Sequence, residues 1–204
     1  MFDLTAIEKD AITELLNIGV GRAAASLGQL LGEELMLSVP TLYIQTRRQT
    51  AELMHRQDIT NVSAIKERFE GGFNGDAMLI FPSHKSLVLV RALLGETVDE
   101  NSITELEREA LLEVGNIILN GCLGSIANTL GGEFFCSLPE YLQGQSIDVL
   151  EVEEKADELV LFLHINFAVA NLEIEGYLVF LLDIQAADML RERIHQFLSD
   201  SGIS

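Results

Sequence analysis

Two short segments of this chain carry carboxylates and a carboxamide at spacings that bring them to one helical face. In the first they are Asp10, Glu14 and Asn17, and in the second Glu109, Glu113 and Asn116. Steps of four and three residues place the three groups within an arc of about 60° on an α-helix. A Glu and an Asn one turn apart can therefore reach the same partner together. The Asn amide is a poor acid and a poor base, so proton transfer is not its chemistry. Its carbonyl and amino groups can orient a water by hydrogen bonds. That suits a reaction limited by positioning, and phosphoryl transfer is such a reaction. A Glu is repelled by a phosphoryl group, so its natural mate is a Lys or Arg on the partner. Acidic residues also form ordinary solvated faces, and either Asn can serve a cap or a buried hydrogen bond. The recurrence of Glu and Asn in one register favours a site, as does the mediocre helix propensity of Asn.

The two segments belong to a longer repeat. Residues 5–40 and 104–139 align without a gap at an offset of 99. Identities fall at Thr5/Thr104, Glu8/Glu107, Ala11/Ala110, Glu14/Glu113, Asn17/Asn116, Ile18/Ile117, Ser26/Ser125, Leu31/Leu130, Gly32/Gly131, Glu34/Glu133, Ser38/Ser137 and Pro40/Pro139. Chance would give roughly two, judged from ordinary residue frequencies. The period is too long for a solenoid unit and implies two copies of a domain half. Each copy opens on Thr-x-x-Glu, a capping box at a helix start. Apolar residues follow at helical spacing: Ile7, Ala11, Leu15 and Ile18, then Leu106, Ala110, Val114 and Ile117. Each helix is expected to run toward Gly32 or Gly131, with a break allowed near Gly19–Gly21. Pro40 and Pro139 mark an extended or turn segment where a new element begins.

Further along, Leu42–Gln45, Ile65–Gly71 and Ala77–Phe81 read as strands before a helix at Ser83–Leu94. In the second half Ser146–Val152, Leu159–Phe167 and Tyr177–Leu182 read as strands before a helix at Ile184–Phe197. A polar linker near Glu96–Ser102 joins the halves. The pattern predicts an α+β fold, internally duplicated, with long motif helices on a mainly antiparallel sheet. The chain reads as a single domain over 1–204, with halves of about 1–98 and 99–204.

Composition narrows the partners. The formal net charge of −19 repels nucleic-acid phosphates and anionic lipid, so neither nucleic acid nor membrane is expected as a partner. No apolar run reaches the roughly 20 residues of a membrane helix, and no secretory signal stands at the start, so a cytoplasmic location is expected. Cys122 and Cys136 lack metal-ligand spacing and read as packed thiols. His55, His84, His164 and His195 form no ligand or triad signature, so no metal is assigned to the chain. Gly19-Val20-Gly21-Arg22-Ala23-Ala24 fits GxGxxA, but a helix precedes it where a dinucleotide site needs a strand. The small residues Gly21, Ala25, Gly28 and Gly32 read instead as helix-packing positions.

The motifs resemble those of the CheC/CheX/FliY family of chemotaxis phosphatases. The family pattern is Asp or Ser, three residues, Glu, two residues, Asn, then 22 residues and Pro. Asp10, Glu14, Asn17 and Pro40 match it in full; Glu113, Asn116 and Pro139 match it again, with Glu109 where the pattern has Asp or Ser. The resemblance spans essentially the whole chain, and two motifs in a chain of this length resemble the CheC type. A FliY-like member would add a flagellar-switch domain, which a chain ending here is expected to lack. The resemblance implies a CheC-like fold and hydrolysis of the aspartyl phosphate of a CheY-type response regulator in two-component chemotaxis signalling. Asn17 and Asn116 would position water, and Glu14 and Glu113 would bind the regulator's active-site Lys. The chain would need no cofactor of its own, the magnesium ion being the regulator's. CheD, a receptor deamidase, is a further implied partner. The alternative reading is a non-catalytic adaptor that binds a response regulator or CheD through the same Glu face. A flagellar-switch component and an acidic enzyme using Asp10 with Glu14 are weaker alternatives.

Overall fold

The computed structural model describes residues 4–32, 35–94, 103–169 and 172–202. The elements follow as α1 (Ala6–Leu31), β1 (Leu35–Thr46), α2 (Arg47–Arg56), β2 (Asn61–Gly71), β3 (Gly75–Pro82) and α3 (Ser83–Leu94). Then come α4 (Glu105–Leu130), β4 (Phe134–Cys136), β5 (Glu140–Gln145), α5 (Ser146–Val149), α6 (Val152–Lys155), β6 (Leu159–Val169), β7 (Leu172–Leu182) and α7 (Ile184–Asp200). This is the expected mixture of helices with an antiparallel sheet. The linker expected near Glu96–Ser102 lies outside the described residues.

Both capping boxes form. Thr5 Oγ1 accepts from the Glu8 amide at 3.3 Å while Glu8 accepts from the Thr5 amide at 2.7 Å. Thr104 and Glu107 repeat this at 3.2 and 2.6 Å. Each box thus satisfies two donors at its helix start, the amide of the cap Thr and that of the Glu. Burial of the Glu107 carboxyl works against its charge, but hydrogen bonds from Thr104 and Arg91 hold it below the usual carboxylate range. The Arg91 contact, at 2.7 Å, ties α3 to the start of α4. The two helices have equal lengths of 26 residues, and α1 is unbroken through Gly19–Gly21. It stops at Gly32, whose φ of 70° is the left-handed conformation that glycine adopts without penalty.

The seven strands among the described residues form one sheet in the order β1-β6-β7-β3-β2-β4, with β5 also paired to β2. Every pairing is antiparallel. The first strand of each half pairs with the other half: β1 lies against β6, and β4 and β5 lie against β2. Strand alternation then sorts side chains to two faces. On one, Ile65, Phe69, Leu79, Phe81, Leu161 and Leu163 share a core with α1, α4 and α7. On the other, Ala64, Met78, Ile80, Val160, Phe162 and Val179 pack with α2 and the segment around Val149–Val152.

The strand expected at Ser146–Val152 is instead the two short helices α5 and α6. Its apolar residues Val149, Leu150 and Val152 are buried in the second core. A run this short does not distinguish a strand from a buried turn of helix by periodicity. The stripe expected at Gly21, Ala25, Gly28 and Gly32 is not where α1 packs closest. A Cβ on Gly21 would meet nothing, whereas one on Gly19 would come within 2.7 Å of the Cys122 Cα and the Gly121 carbonyl oxygen. Ser125 Oγ donates to the Leu15 carbonyl at 2.8 Å, so α1 and α4 run antiparallel through this crossing. α4 is also long and apolar enough to cross a membrane by composition, with mean hydropathy 1.5 over its best window, contrary to the sequence expectation. Half of that window is buried in the protein, as befits a core helix.

An ion network fastens the second core. Arg47, only 1% exposed, donates to the Leu150 carbonyl at 2.9 Å and to Glu158 at 2.6 Å, and lies 3.4 Å from Glu151. Glu151 also meets Lys66 at 2.7 Å and Lys155 at 3.1 Å, and Lys66 meets Asp76 at 3.2 Å. Burial alone would raise the Glu151 carboxyl, but the hydrogen bonds and charges of Lys66 and Lys155 bring it down to about 2. A carboxylate held low stabilises the fold above its unfolded pKa and loses that effect as pH falls through the folded value. Glu151→Gln should therefore lower stability near neutral pH, by roughly 2 kcal/mol after allowance for solvent screening. The deficit should shrink as pH drops from about 4.5 toward 2. Denaturant midpoints measured across that range will show it as two converging curves.

Candidate functional site

Asp10, Glu14 and Asn17 lie along one face of α1, with Asp10 and Glu14 exposed and Asn17 half-buried. Glu109, Glu113 and Asn116 repeat the arrangement on α4, the acids again exposed and the Asn again half-buried. Each face survives because the other sides of the helix are committed to packing. Ile12, Leu16 and Val20 of α1 and Leu111, Ile118 and Leu119 of α4 are buried in the shared core. Each helix thus presents a carboxylate and a carboxamide together at the surface.

The two Asn side chains are held differently. The β1–β6 ladder pairs Ser38 with Asn166 and Thr41 with His164, so β1 has one extra residue between them. Such a bulge removes groups from the ladder, and Pro40, inside it, has no amide hydrogen to offer. Val39 turns its own groups toward α1. Its amide donates to Asn17 Oδ1 at 2.9 Å, and its carbonyl accepts from Asn17 Nδ2 at 3.3 Å. The spacing of 22 residues between Asn17 and Val39 gives the Asn-to-Pro separation a structural meaning: the carboxamide repairs the backbone of the residue before the proline.

The corresponding stretch of the second half takes another course. Where β1 bulges, Ser137, Leu138 and Pro139 interrupt the strand and separate β4 from β5. Ser137 covers the gap by itself, donating its amide to the Arg68 carbonyl at 2.8 Å and accepting the Arg68 amide on Oγ at 3.0 Å. Leu138, at the position equivalent to Val39, is 86% exposed. Asn116 has no bond to it among the described residues. Instead Asn116 Oδ1 accepts from Asn120 Nδ2 at 2.7 Å, leaving Asn116 Nδ2 without a partner among the described residues. Asn120 also reaches Glu67 of β2 at 3.3 Å.

Glu67 and Asn120 were not singled out by the sequence motifs. Two signals pointed to them: Asn120 replaces Gly21 of the other copy, and Glu67 interrupts the inward-facing row of Ile65 and Phe69. Glu67 is fully buried, and burial pushes its carboxyl up to about 7. The remaining candidates lie apart from this face or add nothing to it. Cys122 is buried, its thiol pushed up to about 12, and Cys136 is half-buried. His84 and His164 line a groove with Lys85, Tyr43 and Tyr177 beside the second core. Among the described residues, no three His, Cys, Asp or Glu side chains are placed to hold a metal.

No family model matches the chain. Curated relatives include the CheY-P phosphatase CheC of Bacillus subtilis, 26% identical over 136 residues, which are 65% of this chain and 65% of CheC. The flagellar motor switch phosphatase FliY of the same organism is 23% identical over 179 residues, 83% of this chain and 45% of FliY. The chain thus spans less than two thirds of the length of either relative. The crystal structure of Thermotoga maritima FliY superimposes with a TM-score of 0.77 at 21% identity, covering 96% of this chain and 100% of that one. That likeness establishes the fold.

The two Asn environments make a stability prediction. Asn17→Ala strands the amide and carbonyl of Val39, and should cost about 1–3 kcal/mol. Asn116→Ala leaves no strand backbone unpaired and should stay within about 0.5 kcal/mol of the parent. Urea midpoints of the two variants measure the difference directly.

Proposed function

We propose, with the sequence relatives and the fold together supporting a CheC/FliY-family protein, that the chain hydrolyses the aspartyl phosphate of a CheY-type response regulator in the cytoplasm. The observation that carries this is the pairing of an exposed Glu with an Asn one turn away, twice, on neighbouring antiparallel helices. A bound regulator would present its phosphoryl group and its own magnesium ion to one of these faces. The Asn carboxamide would orient a water for in-line attack at phosphorus, and the departing oxygen would return to the regulator's Asp. The Glu would pair with the regulator's Lys and draw it from the phosphoryl oxygens. Every element of this scheme is positioning and electrostatics, which is what phosphoryl transfer asks of a protein.

The two faces are not equivalent in this scheme. Asn17 already uses both its donor and its acceptor on Val39, whereas Asn116 keeps an unengaged amino group. The second face is then the principal site of turnover, and the first is chiefly a docking contact, in line with the adaptor reading for that half. The test is phosphate release, in excess over added protein, from an acid-labile phospho-regulator. Asn116→Ala should lower kcat about 100-fold with little change in KM, the size of effect expected when a reacting water is misplaced. Asn17→Ala should lower kcat less, and the double variant should be inactive. A double variant as fast as the parent would end the proposal.

Glu14 and Glu113 lead to a binding prediction. The net charge of −19 gives no long-range attraction to an acidic phosphoryl pocket, so docking depends on short-range pairs. A charge-assisted hydrogen bond contributes about 1.5–3 kcal/mol, so Glu14→Gln with Glu113→Gln should weaken apparent affinity by about tenfold or more. Replacing the regulator's Lys by Met should cause a similar loss, and combining the changes should add little. Fully additive losses would separate the two groups and remove the contact.

A further inference from the structure

Resting on the reading of Asn116 as a water-orienting group, we propose that Asn120 and Glu67 are positioning residues of the second site, a buried carboxylate holding Asn116 in its working rotamer through the Asn120 amide. The geometry is a chain from core to surface. Asn120 Nδ2 donates to Asn116 Oδ1 at 2.7 Å, to the Asn116 carbonyl at 2.9 Å and to Glu67 Oε2 at 3.3 Å. Asn116 Oδ1 is thereby fixed toward Asn120, which turns its amino group outward and leaves one oxygen lone pair for a water proton.

Glu67 is an expensive residue to place here. It is fully buried on the helix-facing side of β2, between Ile65 and Phe69. Its Oε1 is buried with no hydrogen-bond partner among the described residues. A buried carboxylate with half its acceptor capacity unmet lowers stability, so a packing role alone explains it poorly. Among the described residues its side chain has one hydrogen bond, which runs to Asn120. The groups facing it are Asn120 from α4 and Cys136 from β4, whose thiol is raised by burial and then by the Glu67 charge. From β3, its ladder partner is the apolar Ala77. Its chain neighbours Lys66 and Arg68 point to the other face, where both meet Asp76. Among the described residues no cation therefore faces Glu67, and burial pushes its carboxyl up to about 7. An ionised carboxylate accepts the Asn120 proton more strongly than a neutral one, so Asn116 is held more firmly as pH rises through that range. The first half has no such device, since Gly21 stands where Asn120 does and Val39 holds Asn17.

The test uses the full chain carrying Asn17→Ala, so that only the second site turns over. With an acid-labile phospho-regulator, kcat should rise with pH through a step near 7. Asn120→Ala should lower kcat about tenfold with KM within about twofold, the pattern of a lost positioning contact. Glu67→Gln, a neutral acceptor of the same shape, should hold kcat at its low-pH plateau and lose the step, whereas Glu67→Leu should behave as Asn120→Ala. The Asn116→Ala chain, limited to the first site, should lack the step and so controls for the regulator's own titration. Parental kcat in Asn120→Ala, or a step retained in Glu67→Gln, would overturn the proposal. A second measurement needs no turnover. The side-chain amide signals of Asn116 and Asn120 in the free protein should move with the same midpoint as the Glu67 carboxyl carbon, and stay still in Glu67→Gln. A parent without turnover but with this coupled titration would overturn the phosphatase reading alone. Amides indifferent to the carboxyl would overturn the positioning role.

Discussion

The backbone crossing of α1 and α4 at Gly19 and Gly121 is the contact on which both candidate faces depend. A Cβ on Gly19 would sit 2.7 Å from backbone atoms of α4, and one on Gly121 would sit 2.9 Å from the Gly19 carbonyl oxygen. Neither neighbour is a side-chain end that can swing away. Any larger residue would push the helices apart and unseat Leu16, Val20, Ile118 and Leu119 from the core they share. Because that core grips one side of each helix, the opposite side is fixed in azimuth. Glu14 and Glu113 are presented to solvent as a consequence of packing, before any chemistry is considered.

Much of this frame was legible in the residues. Thr5-x-x-Glu8 and Thr104-x-x-Glu107 announced the helix starts because a capping box is a purely local device. Ser83–Leu94 reads as a helix with the bounds the structure gives it, and the strands at Leu159 and Tyr177 are legible as short apolar stretches bounded by charge. What failed was non-local. Val149 and Val152 look like strand residues, yet they fill the second core from α5 and α6. The close crossing fell on Gly19 rather than Gly21, because the GxG pair does not reveal which glycine faces the partner helix. The exposure of the motif acids followed from helical periodicity. The partners of the two Asn side chains could not, since they lie on strands whose register is set by the whole sheet.

A repeated sequence frame has accepted two different local solutions. Pro40 and Pro139 both deny the sheet a donor, and the chain leaves regular pairing at each. On the first side the extra residue is absorbed as a bulge and repaired by the Asn17 side chain. On the second, Ser137 closes the gap with its hydroxyl, and Leu138 is left in water. The price of the repair is the loss of a free carboxamide, so structural duty and chemical freedom are divided between the two copies. Glu67 and Asn120 then do for Asn116 what β1 does for Asn17, with a side chain that titrates in place of a backbone that does not.

The exchange of first strands between the halves has a consequence for the nascent chain. Among the described residues β1 pairs only with β6, and the ladder pair closest in sequence is Thr46 with Leu159. At a synthesis rate of about 5–20 residues per second, β1 leaves the ribosome many seconds before its mate exists. During that interval its ladder edge, which carries Met36, Leu37, Tyr43 and Ile44, is open to any other strand. The first half cannot complete its sheet early, and the second cannot complete its own without reaching back to β2. The sheet beneath either candidate face thus waits for β6, the strand that closes β1 into the ladder.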